Sequence, residues 1–108
     1  MKVIEIDEIN FDEEVLEYQG IAVVKFYGNW CGPCKMLASV LDEMKDYDNL
    51  KVVGLDIDNN MALARQFGVM SVPTLLIFKD GAEVDKVVGF RSKSQLEELF
   101  DNYANSGK

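Results

Sequence analysis

The stretch Trp30-Cys31-Gly32-Pro33-Cys34-Lys35 decides how the rest of this chain is interpreted. It holds both cysteines of the sequence and lies between an apolar run, residues 21–27, and a segment with helical spacing of apolar residues. Two cysteines separated by two residues can close a small disulfide ring, and a position between a strand and a helix tunes their chemistry. The sequence therefore predicts thiol–disulfide exchange at this junction.

The composition favours one ordinary domain over residues 1–108. With 108 residues, 48% of them hydrophobic and 28% charged, the chain can bury one core and is too short for two domains. The 11 basic and 19 acidic residues give a formal net charge of −8. We expect no nucleic-acid and no membrane partner, because binding to phosphates needs clustered lysine and arginine.

The N-terminal segment has no long apolar core after Lys2, so we expect neither a secretory signal nor a membrane span. The expected location is the cytoplasm and the expected state is a monomer. In a reducing compartment, two cysteines at this spacing favour a redox pair or a metal pair over a structural disulfide. A zinc or cluster site is the weaker alternative, since the chain has no histidine and no third cysteine and would need a second subunit. We therefore expect no metal.

Hydrophobic periodicity predicts five strands and four helices in the order β-α-β-α-β-α-β-β-α. The strands are expected around Val3–Ile6 and over Ile21–Tyr27, Leu50–Asp58, Thr74–Phe78 and Glu83–Val88. The helices are expected near Phe11–Tyr18, from about Cys34 to Asp46, through Ala62–Phe67 and along Leu96–Tyr103. Residues 105–108 are expected to fray.

Turn and cap residues predict how these elements are connected. The expected helix caps are Asp7 or Asn10, Asn59 or Asn60, and Ser92 or Ser94. Strands joined through helices should be parallel by right-handed crossover, whereas the short link Asp80-Gly81 should make its two strands antiparallel. The expected fold is α/β with three layers, in which helices cover both faces of a five-stranded mixed sheet.

The two cysteines are predicted to have different roles because they occupy different positions in the first helical turn. Cys31 is expected at the exposed helix start, where free backbone N–H groups and the helix dipole lower its pKa and make it the attacking thiolate. Cys34, one turn further, is expected to resolve the mixed disulfide with Cys31 as leaving group. Gly32 leaves room for an approaching chain, and Pro33 stiffens the ring by fixing its own φ. No bound cofactor is needed, because the sulfurs carry the electrons.

The chain resembles the thioredoxin family over essentially its whole length. The hexapeptide, the Val72-Pro73-Thr74 step, the Lys79-Asp80-Gly81 turn and Gly89 after the hairpin carry the resemblance. It implies a dithiol electron carrier that reduces disulfides in other proteins. It also implies re-reduction by a thioredoxin reductase, a flavoenzyme that draws electrons from NADPH or a ferredoxin-type donor.

The resemblance further implies a substrate-docking surface around the cysteines. Trp30 would lie at its rim, and a substrate backbone would pass Gly89. A cis peptide before Pro73 would expose the backbone of Val72 to an extended substrate segment. The alternatives are that Trp30 is ordinary core, that Pro73 only starts a strand and that Gly89 only ends one.

Lys25 departs from the pattern of the family. Thioredoxins usually carry a buried aspartate at this position and commonly a lysine at the position of Gly54. An ammonium beneath the cysteines would stabilise thiolate, while burial would lower the pKa of the lysine itself. We therefore hypothesise that Lys25 acts electrostatically and, when neutral, accepts the proton of Cys34. The alternative is that its side chain extends past the sheet edge and has no role.

Two other classes of function remain open for the same cysteines. An oxidant or isomerase would hold them at a higher potential, which a glutathione redox titration distinguishes. A binding module or subunit would use only the docking surface and would keep its function with both cysteines replaced by serine. The sequence favours the reductase, because the interior of the motif is Gly-Pro and no export signal is visible.

Overall fold

The computed structural model describes residues 1–105, which form a five-stranded sheet and three α-helices. The strands are β1 (Ile4–Glu5), β2 (Ile21–Tyr27), β3 (Leu50–Asp56), β4 (Thr74–Lys79) and β5 (Ala82–Val88). The helices are α1 (Gly32–Asp42), α2 (Met61–Gln66) and α3 (Lys93–Asn105). None of the helices within this range is both long and apolar enough to cross a membrane. Of the residues predicted to fray, Asn105 ends α3, and 106–108 lie outside the described part of the chain.

The sheet has the order β1-β3-β2-β4-β5, which confirms the predicted mixed α/β fold. β1 and β2 run parallel to β3, whereas β4 is antiparallel to β2 and to β5. The expectation that every helix-linked pair runs parallel is therefore wrong for β3 and β4. The six residues of α2 make about 9 Å of helix, too short to span the roughly 23 Å of β3. The chain accordingly enters β4 level with the end of β3, where Leu55 and Thr74 both pair with Phe26.

The first predicted helix is replaced by a π-helical turn of five residues, Asp12–Leu16. No side chain caps this turn. Asp7 and Asn10, the expected caps, instead accept hydrogen bonds from each other's backbone N–H groups at 3.3 and 2.9 Å. Without a cap and with Gly20 following closely, the segment does not extend to a regular helix.

The other helix ends show which cap residues act as predicted. Ser92 and Gln95 form a reciprocal capping box at the start of α3, with backbone-to-side-chain distances of 3.2 and 2.9 Å. Asn60 precedes α2 but does not cap it, because its side chain bonds to the backbone of Glu8 and Asp56. α1 begins two residues earlier than predicted and ends four residues earlier, with Met44 still buried beyond its end.

The central strand β2 is buried on both faces, as its apolar sequence, interrupted only by Lys25, predicts. Ala22, Val24 and Phe26 pack in one core, beneath the π turn and α2. This core includes Phe11 and Phe78. The alternate side chains of β2, Ile21 and Val23, pack beneath α1 and α3 in a second core with Leu37, Leu41, Leu96 and Phe100. Lys25 continues this second row by the two-residue period of a strand. The fold therefore places an ammonium group under α1, the helix that begins at the cysteines.

Candidate active site

Cys31 and Cys34 form a disulfide at the N-terminus of α1, with their Cα atoms 5.2 Å apart. Cys31 is the N-cap residue, and its Sγ accepts a hydrogen bond from the N–H of Cys34 at 3.2 Å. Its backbone is extended, with φ −93° and ψ 113°, while its carbonyl accepts the N–H of Lys35 at 3.2 Å. Cys31 thus lies at the positive end of the helix dipole, the position predicted for it.

The expectation that Cys31 is exposed is wrong for this disulfide form. Cys31 is 5% exposed and Cys34 is 3% exposed. The Sγ atom of Cys31 is bonded to Cys34 and lies 3.7 Å from the carbonyl oxygen of Val72, so little of its surface meets solvent. Gly32 and Pro33, which complete the ring, are exposed. An approaching group therefore meets Gly32 and Pro33 on one side of the disulfide and Val72 on the other.

The loop before β4 lies against the disulfide. Its Val72–Pro73 peptide bond is cis, as the resemblance to thioredoxins implies. Pro73 is buried, and its carbonyl accepts a hydrogen bond from the N–H of Gly89 at 2.8 Å. Gly89 follows the last residue of β5 with φ +94°, a conformation that glycine adopts without steric cost. The buried Pro73 therefore connects Val72, whose carbonyl lies beside Cys31, to Gly89.

Trp30 is 67% exposed, which contradicts the alternative that it is ordinary core. Its indole N–H donates to Oδ2 of Asp58 at 2.9 Å. The ring lies against Gly28, where an added Cβ would be 2.7 Å from the indole Cε2. Asn29 is similarly tied to Asp56, with its amide nitrogen 2.9 Å from Oδ2. These aspartates were missed from the sequence, although polar residues at the carboxyl end of a parallel strand are a signal for a site.

Lys25 lies beneath the disulfide rather than past the sheet edge. It is 7% exposed and lines, together with Cys34, a cavity of about 280 Å³. Its Nζ is 5.0 Å from the centroid of the Tyr27 ring, a cation–π contact. Burial lowers the pKa of Lys25, whereas the carboxylates of Glu5 and Asp42 act in the opposite direction. The structure therefore places a lysine whose pKa is lowered in the same cavity as the inner cysteine, Cys34.

Glu5 lines the same cavity and was also missed from the sequence. Its position in a two-residue edge strand favours a surface interpretation. The available signal was Gly54, because a glycine inside a strand often marks the close approach of another group. As for metals, residues 1–105 contain no cluster of three or more His, Cys, Asp or Glu side chains that could hold an ion.

Comparison with known proteins agrees with this geometry. The family model described as Thioredoxin matches residues 2–102. A thioredoxin of Staphylococcus haemolyticus is 47% identical over 105 residues, covering 95% of this chain and 99% of that protein. A thioredoxin of Staphylococcus aureus is 44% identical with the same coverage. Among solved structures, a mutant thioredoxin from Halobacterium salinarum is similar with a TM-score of 0.87 at 33% identity, covering 96% of this chain and 92% of that chain.

Proposed function

This chain belongs to the thioredoxin family and is a thiol–disulfide oxidoreductase with a disulfide reductase role, and we propose that Cys31 attacks substrates and Cys34 resolves them. The observation that carries this assignment is the hydrogen bond from the N–H of Cys34 to Sγ of Cys31. A sulfur that accepts a backbone N–H at a helix N-terminus is the better thiolate. The first exchange needs this thiolate at Cys31.

The proposed reaction proceeds by two exchanges. The thiolate of Cys31 attacks one sulfur of a substrate disulfide, a mixed disulfide forms, and the other substrate sulfur leaves as a thiolate that takes up a proton. Cys34 then gives up its proton and attacks Sγ of Cys31. The bond between Cys31 and Cys34 forms, the second substrate sulfur leaves with its electron pair, and two electrons have passed to the substrate. The expectation that Cys31 is the leaving group of this exchange is therefore wrong, because Cys31 stays bonded to Cys34 and the substrate sulfur leaves.

Substrate docking is proposed on the surface that surrounds Cys31. The side chain of Trp30 and the exposed Gly32 and Pro33 offer one side of this surface. The backbone of Val72, Pro73 and Gly89 offers the other. The carbonyl of Val72, 3.7 Å from Sγ of Cys31, lies close enough to accept a hydrogen bond from an extended segment that carries the disulfide.

The proposed partner that restores the dithiol is a reductase. A thioredoxin reductase, supplied with electrons by NADPH or a ferredoxin-type donor, returns the Cys31–Cys34 disulfide to the dithiol. The chain works as a single domain and a monomer in the cytoplasm, where it contributes to redox homeostasis. The family supports disulfide-containing proteins and a reductase as partners in general, and the formal charge of −8 supports solubility.

The variant Cys34→Ser is expected to capture substrates as covalent complexes on Cys31. Without a resolving thiol the first exchange proceeds and the second cannot, so the mixed disulfide persists until an external thiol cleaves it. The measurement is non-reducing electrophoresis after incubation with a disulfide-containing protein such as insulin, with mass mapping of the linked cysteine. Capture by Cys31→Ser instead, or linkage through Cys34 in the wild type, would reverse the proposed roles.

Lys25 is proposed to assist the second exchange. Its burial in the cavity that Cys34 also lines supports two functions. A charged ammonium there stabilises the thiolate of Cys34, and a neutral amine accepts the proton of Cys34. A pKa lowered by burial makes the neutral form more accessible than for a lysine in water.

The variant Lys25→Met is expected to shift the thiolate titration of Cys34 upward by about one pH unit or more, because a nearby positive charge and a proton acceptor are both lost. The titration is followed by thiolate absorbance in the reduced protein, with single-cysteine variants to separate the two thiols. Lys2→Met, which makes the same change in net charge on an exposed side chain, serves as the control. Superimposable curves for wild type and Lys25→Met would rule out a role for Lys25.

A further inference from the structure

Three residues on three adjacent strands form a row beneath the start of α1. Glu5 of β1 and Lys25 of β2 are both paired with Gly54 of the intervening strand β3. Because residues paired across parallel strands present their side chains on the same face, Glu5 and Lys25 lie on the face that α1 covers. Gly54 lies between them and has no side chain.

The carboxylate of Glu5 occupies the space that a side chain at Gly54 would fill. A Cβ added to Gly54 would lie 2.7 Å from Oε1 of Glu5 and 3.4 Å from the ring of Tyr27. The hydroxyl of Tyr27 donates to Oε2 of Glu5 at 2.6 Å, a short hydrogen bond of the kind carboxylates accept. Glu5 therefore extends across β3 and contacts Tyr27 of β2. The ring of Tyr27 is also the one that makes the cation–π contact with Lys25.

The carboxylate, the phenol and the ammonium all line the cavity that Cys34 lines. Within residues 1–105, Lys25 has no ion pair at 4.0 Å or less, so Glu5 acts on it through space and through the Tyr27 ring. Asp42 of α1 is the other carboxylate that acts on Lys25. Lys35 of α1 is the other cation lining the cavity. β4 faces Lys25 with an apolar residue, Leu75.

We propose that Glu5 is a positioning residue for the second exchange: by reaching across Gly54 it holds Tyr27 and Lys25 in place and governs the pH at which Lys25 and Cys34 together release a proton. This inference rests on the proposed role of Lys25. A negative charge beside the pair keeps a proton bound to it, whichever of the two groups carries that proton. Burial and the hydrogen bond to Glu5 raise the pKa of Tyr27, so its phenol stays protonated and remains a donor.

The test is the pH profile of the second exchange in Glu5→Gln. Reduced protein is mixed with an aromatic disulfide whose thiolate product is coloured. A first thiolate leaves when Cys31 attacks and a second when Cys34 attacks. At disulfide concentrations high enough to make the first exchange fast, the release whose rate no longer depends on that concentration reports the second exchange. We expect the midpoint of that profile to move down by roughly half to one pH unit in Glu5→Gln, because a neighbouring negative charge is lost.

Two further variants separate the proposed geometry from a general effect of charge. Glu5 and Glu8 are both exposed, but only Glu5 lines the cavity, so Glu8→Gln changes the net charge equally and should leave the midpoint unchanged. Gly54→Ala keeps every charge but displaces the flexible end of Glu5, and should reproduce part of the shift. Equal midpoints in Glu5→Gln and Glu8→Gln would overturn this inference. If Lys25→Met leaves the titration of Cys34 unchanged, the proposed role of Lys25 fails and this inference fails with it.

Discussion

Replacing Cys31 with serine is expected to reduce turnover of a protein disulfide by at least about a thousandfold, to the rate of the reductant alone. A serine hydroxyl is not ionised near neutral pH, so the hydrogen bond from the Cys34 N–H and the helix dipole have no thiolate to stabilise. We expect that Cys34 cannot substitute for it, because Cys34 lies within the first turn of α1 and only Cys31 occupies the N-cap position. The measurement is the initial rate of insulin disulfide reduction at fixed dithiothreitol.

Met36→Ser makes a matched control for this variant. Met36 lies on α1 two residues beyond Cys34 and is 57% exposed, so its replacement by serine leaves the cysteines and the core in place. It is expected to retain wild-type turnover within about twofold. Residual turnover in Cys31→Ser above the reductant background would show that Cys34 can attack substrates directly, contrary to the proposed assignment.

Lys25→Met is expected to stabilise the oxidised protein by about 1 to 3 kcal/mol at neutral pH, because a buried ammonium is replaced by an apolar side chain of similar length. For a chain of this size, each kcal/mol corresponds to roughly 4 °C in Tm. The oxidised form is chosen because disulfide-bonded cysteines do not titrate. Thermal unfolding of wild type, Lys25→Met and the surface control Lys2→Met gives the comparison.

The pH dependence of this stabilisation identifies its cause. Burial lowers the folded-state pKa of Lys25 below its ordinary value of 10.5. Below that folded-state pKa, the full cost of burying the ammonium destabilises the wild type. Between it and 10.5 the unfolded chain binds more protons than the folded one, so wild-type stability rises with pH and the advantage of Lys25→Met shrinks. An advantage independent of pH up to 10.5 would mean that the variant acts by packing and not by removing a buried charge.

Together these expectations describe a site where stability and activity compete. The buried lysine costs folding free energy, yet it lies in the cavity of the resolving cysteine. Glu5, reaching across Gly54, supplies the compensating charge from a different strand. An exposed carboxylate and a buried ammonium thus line one cavity with Cys34, and the absence of a side chain at Gly54 leaves the space that the carboxylate occupies.

The elements that could be predicted are those whose signal is local. The predicted ends of β2 are the observed ones, because a seven-residue run that is apolar except for Lys25 and bounded by glycines favours a buried strand. Ser92 was one of two predicted caps for α3, and a cap can be predicted because its hydrogen bonds lie within four residues. The prediction of the first helix was wrong, because hydrophobic periodicity does not reveal the competing hydrogen bonds of Asp7 and Asn10. The predicted direction of β4 was wrong, because that direction depends on the observed length of α2, which is too short to span β3.

The hexapeptide Trp30-Cys31-Gly32-Pro33-Cys34-Lys35 by itself determined the reaction class and the place of the two sulfurs in a helical turn, because a spacing of three residues fixes a disulfide locally. The surroundings of that turn were decided by the tertiary structure alone. The 3.7 Å approach of Val72 to Cys31 and the row of Glu5, Gly54 and Lys25 join residues far apart in the chain. Strand register and close packing set such contacts, and neither can be determined from any single segment.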